Sequence, residues 1–166
     1  MTIDDRPKII NERKRLGDCE IDLIVGPKNK GAILTTIDRL SRRCVIEKLS
    51  NKGAIEIKTV LLNAFNNDDY PKHSVTSDNG SEFTLHEDIS KELKIDYYFS
   101  HPYASYKYGS IKNLNGLIRQ YIAKGKEFDD IDSSFIKQVE EKLNNRPRKI
   151  LNFLTPQESY ESIKIT

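Results

Sequence analysis

Long apolar runs are missing from this chain: no uninterrupted apolar stretch in its 166 residues exceeds three. A membrane-crossing helix needs about 20 predominantly apolar residues, so no membrane association is expected. The polar start Met1-Thr2-Ile3-Asp4-Asp5 has none of the features of a signal peptide. Cysteine is scarce, and Cys19 and Cys44 form neither a CxxC pair nor a zinc spacing. Both are expected as free thiols in a reducing, cytoplasmic setting. His73, His86 and His101 also lack metal-ligand spacing. Repeats and low-complexity segments are absent. Acids are missing from one stretch: between His101 and Lys126 there is no Asp or Glu, while Lys107, Lys112, Arg119, Lys124 and Lys126 are basic. A second basic group follows at Arg146-Pro147-Arg148-Lys149. The net charge is only +2, so any attraction to nucleic acid has to come from such local clusters, which can neutralise phosphates or simply be solvated faces.

What is present divides into an arm, a core and a tail. Residues 1–16 are polar, without periodicity, and read as an N-terminal arm or linker. Residues 17–160 form one core domain and 161–166 a C-terminal tail. Within the core, Cys19, Ile21, Leu23 and Val25 alternate with Glu20, Asp22 and Ile24, the two-residue period of a strand. Residues 32–38 and 43–49 are rich in Ile, Thr and Val and predict two more strands in an antiparallel meander. The period then changes: Ile57, Val60, Leu61, Ala64 and Phe65 share a helical face after Gly53. A short strand over 73–77, a helix near 85–93, a strand over 95–99 and helices over 105–123 and 133–145 follow. In the last helix, Phe135, Val139 and Leu143 recur at intervals of four. Three strands first, then alternating β and α, predict an α/β fold: a mixed five-stranded sheet flanked by helices.

Three positions bear on chemistry. Asp22 lies in the first strand, and Asp78 ends the fourth in Ser77-Asp78-Asn79-Gly80. Transfer of a phosphodiester needs an activated oxygen and cations on the charge that develops, and a few carboxylates suffice to hold Mg²⁺ for that purpose. Two aspartates on neighbouring central strands can meet there. Each also has a plain structural reading: Asp-Asn-Gly is a turn former, and a strand Asp can face water. At 100° per residue, Leu114, Leu117, Ile118 and Tyr121 gather on one side of the helix from Ser105. Ser105, Tyr108, Lys112, Asn115, Gly116 and Arg119 gather on the other. Lys112 is thus expected to face solvent or a site.

From about Arg6 to Ser159 the chain resembles the integrase-core domain of bacterial insertion-sequence transposases, specifically the insertion sequence thirty family. The matching stretches are Gly17-Asp18-Cys19-Glu20-Ile21-Asp22, Ile37-Asp38-Arg39-Leu40-Ser41-Arg42, Ser77-Asp78-Asn79-Gly80-Ser81-Glu82-Phe83 and His101-Pro102-Tyr103-Ala104-Ser105. Asn115-Gly116-Leu117-Ile118-Arg119-Gln120-Tyr121, Leu143-Asn144-Asn145-Arg146-Pro147-Arg148-Lys149 and Thr155-Pro156 with Glu158 complete the ordered set.

The resemblance implies a ribonuclease-H-like fold with an Asp-Asp-Glu site and two metals, Mg²⁺ or Mn²⁺. It makes Asp22 and Asp78 the first two acids and metal ligands. The family's Gly-x-x-Glu-Asn-x-Asn-Gly string reads here Gly109-Ser110-Ile111-Lys112-Asn113-Leu114-Asn115-Gly116, which puts Lys112 at the position of the glutamate. A protonated lysine cannot ligate Mg²⁺, so the two-metal site is expected to be incomplete and Lys112 inactivating. Its ammonium is expected to reach toward Asp22 and Asp78 in place of a metal. Glu20 and Glu82 lie nearby, but the family carries acids at both positions as well, so neither substitutes.

The implied activity is metal-dependent cleavage and transfer of DNA strands, impaired in this copy. Two alternatives are an inactive DNA-binding or dimerising remnant of a transposase and a ribonuclease-H-like nuclease. DNA is the expected partner, both transposon ends and target, with Lys107, Arg119 and Arg146 on its backbone. A homo-oligomer without a small-molecule cofactor is expected. Family members also carry an N-terminal helix-turn-helix region, for which these residues leave no room. Departures from the family are Asp18-Cys19 for His-Trp and Tyr106-Lys107-Tyr108 for a Trp-Gln-Arg-like string.

Overall fold

A computed structural model describes residues 1–67, 69, 71–102 and 109–165. Five strands form one sheet: β1 (Asp18–Val25), β2 (Ala32–Asp38), β3 (Cys44–Leu49), β4 (Ser74–Ser77) and β5 (Asp96–Phe99). Their order is β3-β2-β1-β4-β5. The first three are antiparallel neighbours, and β4 and β5 run parallel to β1. This is the expected mixed sheet.

The two-residue period of β1 and β2 sorts their side chains onto two cores. Cys19 and Ile21 of β1, with Ala32 and Leu34 of β2, meet Ile57, Leu61 and Phe65 of α2 (Ala54–Asn66) and Ile89 of α3 (His86–Leu93). Ile24, Ile33 and Ile37 point the other way. They pack on Ile111, Leu114 and Ile118 of α4 (Gly109–Ile118) and on Ile136, Val139 and Leu143 of α5 (Ser133–Asn144). Glu20 and Asp22 share the parity of Ile24 and therefore face α4.

Three elements differ from expectation. Helix α4 ends at Ile118 rather than Ala123, and the start of the expected helix, 105–108, lies outside the described residues. The buried stripe of α5 uses Ile136 instead of Phe135, which is 37% exposed. A strict interval of four drifts about 40° per step on a helix, so three such residues do not stay on one seam. The tail becomes the end of α6 (Pro156–Ile165). Its start is a capping box: Glu158 N–H donates to Thr155 Oγ1 at 3.0 Å, and Thr155 N–H donates to Glu158 at 3.1 Å. Pro156 occupies the first helical position, where its missing N–H costs nothing. The Thr-Pro-x-Glu string is thus a helix start.

The segment 1–16 packs on the body. Ile3 and Ile10 are buried, the latter in the short helix α1 (Lys8–Asn11). Thr2 bridges to Phe99 on the outer edge of β5, where Phe99 N–H donates to Met1 O at 2.9 Å. At the opposite edge, α5 caps β3. Glu140 accepts from Ile46 N–H at 2.7 Å, and Asn144 takes both the N–H and the C=O of Cys44, at 2.8 and 2.9 Å.

Candidate active site

Asp22 sits in the middle of β1 beneath α4 and is 6% exposed. Its Oδ1 accepts from Leu23 N–H at 2.9 Å. Its Oδ2 accepts from Lys112 Nζ at 2.8 Å and from Asn115 Nδ2 at 3.0 Å. Lys112 and Asn115 are three residues apart on α4 and so share a face. Asn115 is itself fixed by the Thr35 hydroxyl, which donates to its Oδ1 at 2.9 Å. The helical period places Asn115 on the face of Lys112 but gives it no role, and nothing in the sequence points to Thr35. The spacing of Asn115 from Lys112 was the available signal for one of them, whereas Thr35 depends on the pairing of β1 with β2, in which it stands opposite Asp22.

Asp78 follows the last residue of β4 and accepts from Gly80 N–H at 3.1 Å. A Cβ at Gly80 would lie 2.3 Å from Glu82 Oε2 and 3.0 Å from Asp78 Oδ1, so a larger residue there would push the Glu82 carboxylate aside. Beneath it, Tyr97 OH donates to Ser77 Oγ at 2.9 Å, and Ser77 Oγ donates to Asp78 O at 2.8 Å, which secures the strand end. Partial desolvation raises the Asp78 carboxyl above the usual aspartate range, and the charges of Asp22 and Glu82 add to this. Gly80 N–H and the Lys112 ammonium oppose the rise. The fold therefore brings Asp22, Asp78 and Lys112 within electrostatic reach of one another.

The described residues do not fit a two-metal site. Among the described residues, no group of three or more His, Cys, Asp or Glu could hold a metal ion. Glu20 faces α4 as its parity requires, but it is fully buried and engaged on both oxygens. Arg39 Nη1 donates to one, and Ile111 N–H donates to the other at 2.9 Å. Glu20 thus fastens α4 to β1. Asp38 also has a mechanical role, accepting from Ser41 N–H at 2.7 Å and Leu40 N–H at 3.1 Å to set the turn after β2.

Of the three cations expected on DNA, Lys107 lies outside the described residues. Arg119 lies just past α4 with its guanidinium 6.0 Å over the Phe128 ring. Arg146 is exposed and donates to Gln120 Oε1 at 3.2 Å. Among the described residues, no helix is long and apolar enough to cross a membrane.

Residues 13–105 match the integrase core domain family. The transposase for insertion sequence element IS4351 of Bacteroides fragilis is 48% identical over 97% of this chain and 49% of its own length. Transposase InsI for insertion sequence element IS30A of Escherichia coli K12 is 35% identical over 96% of this chain and 42% of its own. The chain therefore spans about half the length, or less, of these curated relatives. Among solved structures, the catalytic core domain of BIV integrase superposes with a TM-score of 0.70 at 20% identity, over 89% of this chain and 95% of that one. At that identity the likeness speaks for the fold alone.

Proposed function

The chain belongs to the integrase core domain family, in the company of insertion-sequence transposases, and from that premise we propose that it is a DDE-type transposase catalytic core acting on DNA whose active centre is closed by a lysine. In this reading Asp22 and Asp78 are the two retained acids, and Lys112 stands where the third belongs. The carrying observation is the 2.8 Å ion pair between Lys112 Nζ and Asp22 Oδ2. The family reaction is hydrolysis of a phosphodiester to free a 3′-hydroxyl, followed by direct attack of that hydroxyl on a target phosphodiester. The relatives are named as transposases of whole insertion elements; DNA strand cleavage and transfer comes to this chain as the core half of that activity.

Two metals held by carboxylates would supply nucleophile activation and leaving-group stabilisation. Here two carboxylates remain, and one is already neutralised by an ammonium. Strand cleavage is therefore expected to be weak or absent. The same ion pair favours a second reading, a transposase remnant that occupies DNA without cutting it. The test is Mn²⁺ or Mg²⁺ binding and duplex nicking by this chain beside its Lys112→Glu form. Metal binding and nicking by the Glu form alone is the expected result. Nicking by the chain as it stands would overturn the role given to Lys112. Duplex binding without metal binding in either form would favour the remnant.

A further inference from the structure

On the flank of α4 turned away from Asp22, a cavity of about 150 Å³ lies between α4, the turn after β2 and the segment following α5. Its polar lining is Arg42, Asn113 and Arg148, with apolar walls that include Ile37, Leu117 and Ile150. No carboxylate among the described residues lines it. Exposed Asn113 and Ile150, the latter 69% exposed, place its mouth at the surface.

Both guanidinium groups are held from behind. Arg42 Nη1 donates to Ser110 Oγ at 2.8 Å, and Arg148 Nη2 donates to Leu143 O at 3.1 Å. Arg148 Nε is buried with no hydrogen-bond partner among the described residues, an unsatisfied donor of the kind that native proteins seldom leave. Arg42 has a left-handed backbone, φ 65°, a conformation that disfavours a large side chain and is kept where surroundings impose it. Burial is also the main cause lowering both arginines, Arg42 to about 10. Glu20 and Asp38 act on Arg42, but no carboxylate among the described residues lines the pocket itself, so the pocket offers two half-desolvated cations to an incoming anion.

We propose that this pocket seats one phosphate of the DNA backbone, gripped by Arg42 and Arg148 and bordered by Asn113, across α4 from the Asp22–Asp78 centre; the inference rests on the transposase reading above. Arginine suits the task, because its planar fork meets phosphate oxygens with two parallel hydrogen bonds. The pocket positions the duplex and reads no base. Its location fits: a helix is about 10 Å across with its side chains, a distance a strand covers in roughly three phosphates at about 3.4 Å of axis each. One strand can therefore lie against both flanks of α4.

The test follows the Nε–H NMR signals of Arg42 and Arg148 in the whole chain, titrated first with inorganic phosphate and then with a short duplex. Both signals are expected to shift saturably with phosphate and again with duplex. The double variant Arg42→Gln/Arg148→Gln is expected to bind duplex about tenfold more weakly, with a salt dependence shallower by about one. Signals that neither ligand moves would overturn the pocket. A shift with phosphate but not with bound duplex, or unchanged duplex affinity in the double variant, would overturn its assignment to DNA while the transposase reading stands. A chain that binds no duplex at all would overturn that reading itself.

Discussion

On the proposed reading Lys112 puts a positive charge where the family resemblance implies a carboxylate, and Asp22 pairs with it. Asp22 spends one oxygen on its ammonium and on Asn115, so in the proposed site the ion pair would compete with a metal for that oxygen. With the lysine side chain 51% exposed, the pair is worth less than a buried one, about 1 kcal/mol. Lys112→Glu without metal is expected to lose that amount at neutral pH and to add repulsion among three acids. Added Mn²⁺ should restore the loss, because a ligand that binds only the folded state stabilises it, while the parent should be indifferent. Urea unfolding with chelator and with Mn²⁺ checks both statements. Asp78 supplies a pH dependence whose sign can be worked out. Its carboxyl is raised in the fold, so its contribution is present at acid pH and is lost as pH climbs through the folded value. Asp78→Asn should therefore be more stable than the parent at neutral pH, and the advantage should vanish below the ordinary aspartate range. A motif and a helical period draw notice to both aspartates and the lysine in the sequence, and the structure sets the three near one another. Asn115 was half legible, and Thr35 was not, since strand register has no local signature.

Strand β3 shows what a helix does for a sheet. As an edge strand it would offer unpaired N–H and C=O groups to any other chain, and α5 fills those positions with side chains. Asn144 does the most, satisfying both polar groups of Cys44 from a site 7% exposed. Asn144→Ala leaves a buried donor and acceptor unpaired and is expected to cost about 2 kcal/mol. Denaturant unfolding measures that cost, and faster amide exchange at Cys44 and Ile46 than elsewhere in the sheet would locate it. Asn144 and Glu140 were invisible as edge caps in the sequence, where they read as the polar face of an amphipathic helix. Helix and strand types were legible because their periods are local. The expected seam of α5 is one residue off, because Phe135 fits an interval of four as well as Ile136 fits the true stripe. The end of α6 reads as tail for want of a long apolar period, although Thr155, Pro156 and Glu158 already spell its capping box.

The molecule is tied together at Glu20, a fully buried acid among arginines from the N-terminal segment and the turn after β2. It binds Arg39, which also donates to Ile10 O at 3.3 Å, and it accepts from the first turn of α4. Its charge also acts on Arg6, Arg13 and Arg42. Arg13 and Arg42 both donate to Ser110 on α4, and Arg6 donates to Thr76 at 3.3 Å. N-terminal segment, turn, central strand and the helix bearing Lys112 thus share one electrostatic knot. Residues 1–16 read as an arm in the sequence because isolated Ile3 and Ile10 make no period, and their burial depends on contacts far along the chain. The knot leads to an unusual expectation. Removing one partner of a buried ion pair costs about 3–5 kcal/mol, whereas replacing both with apolar residues is often neutral. Arg39→Met should show the first behaviour, with amide protection lost at Ile111. Arg39→Met with Glu20→Leu should not show the second, because Arg6, Arg13 and Arg42 would then face one another with their shared carboxylate gone. The double variant is expected to be at least as unstable as Arg39→Met alone. Urea unfolding of the parent, the single and the double variant decides the matter, and recovery of stability in the double would reduce the knot to an ordinary ion pair.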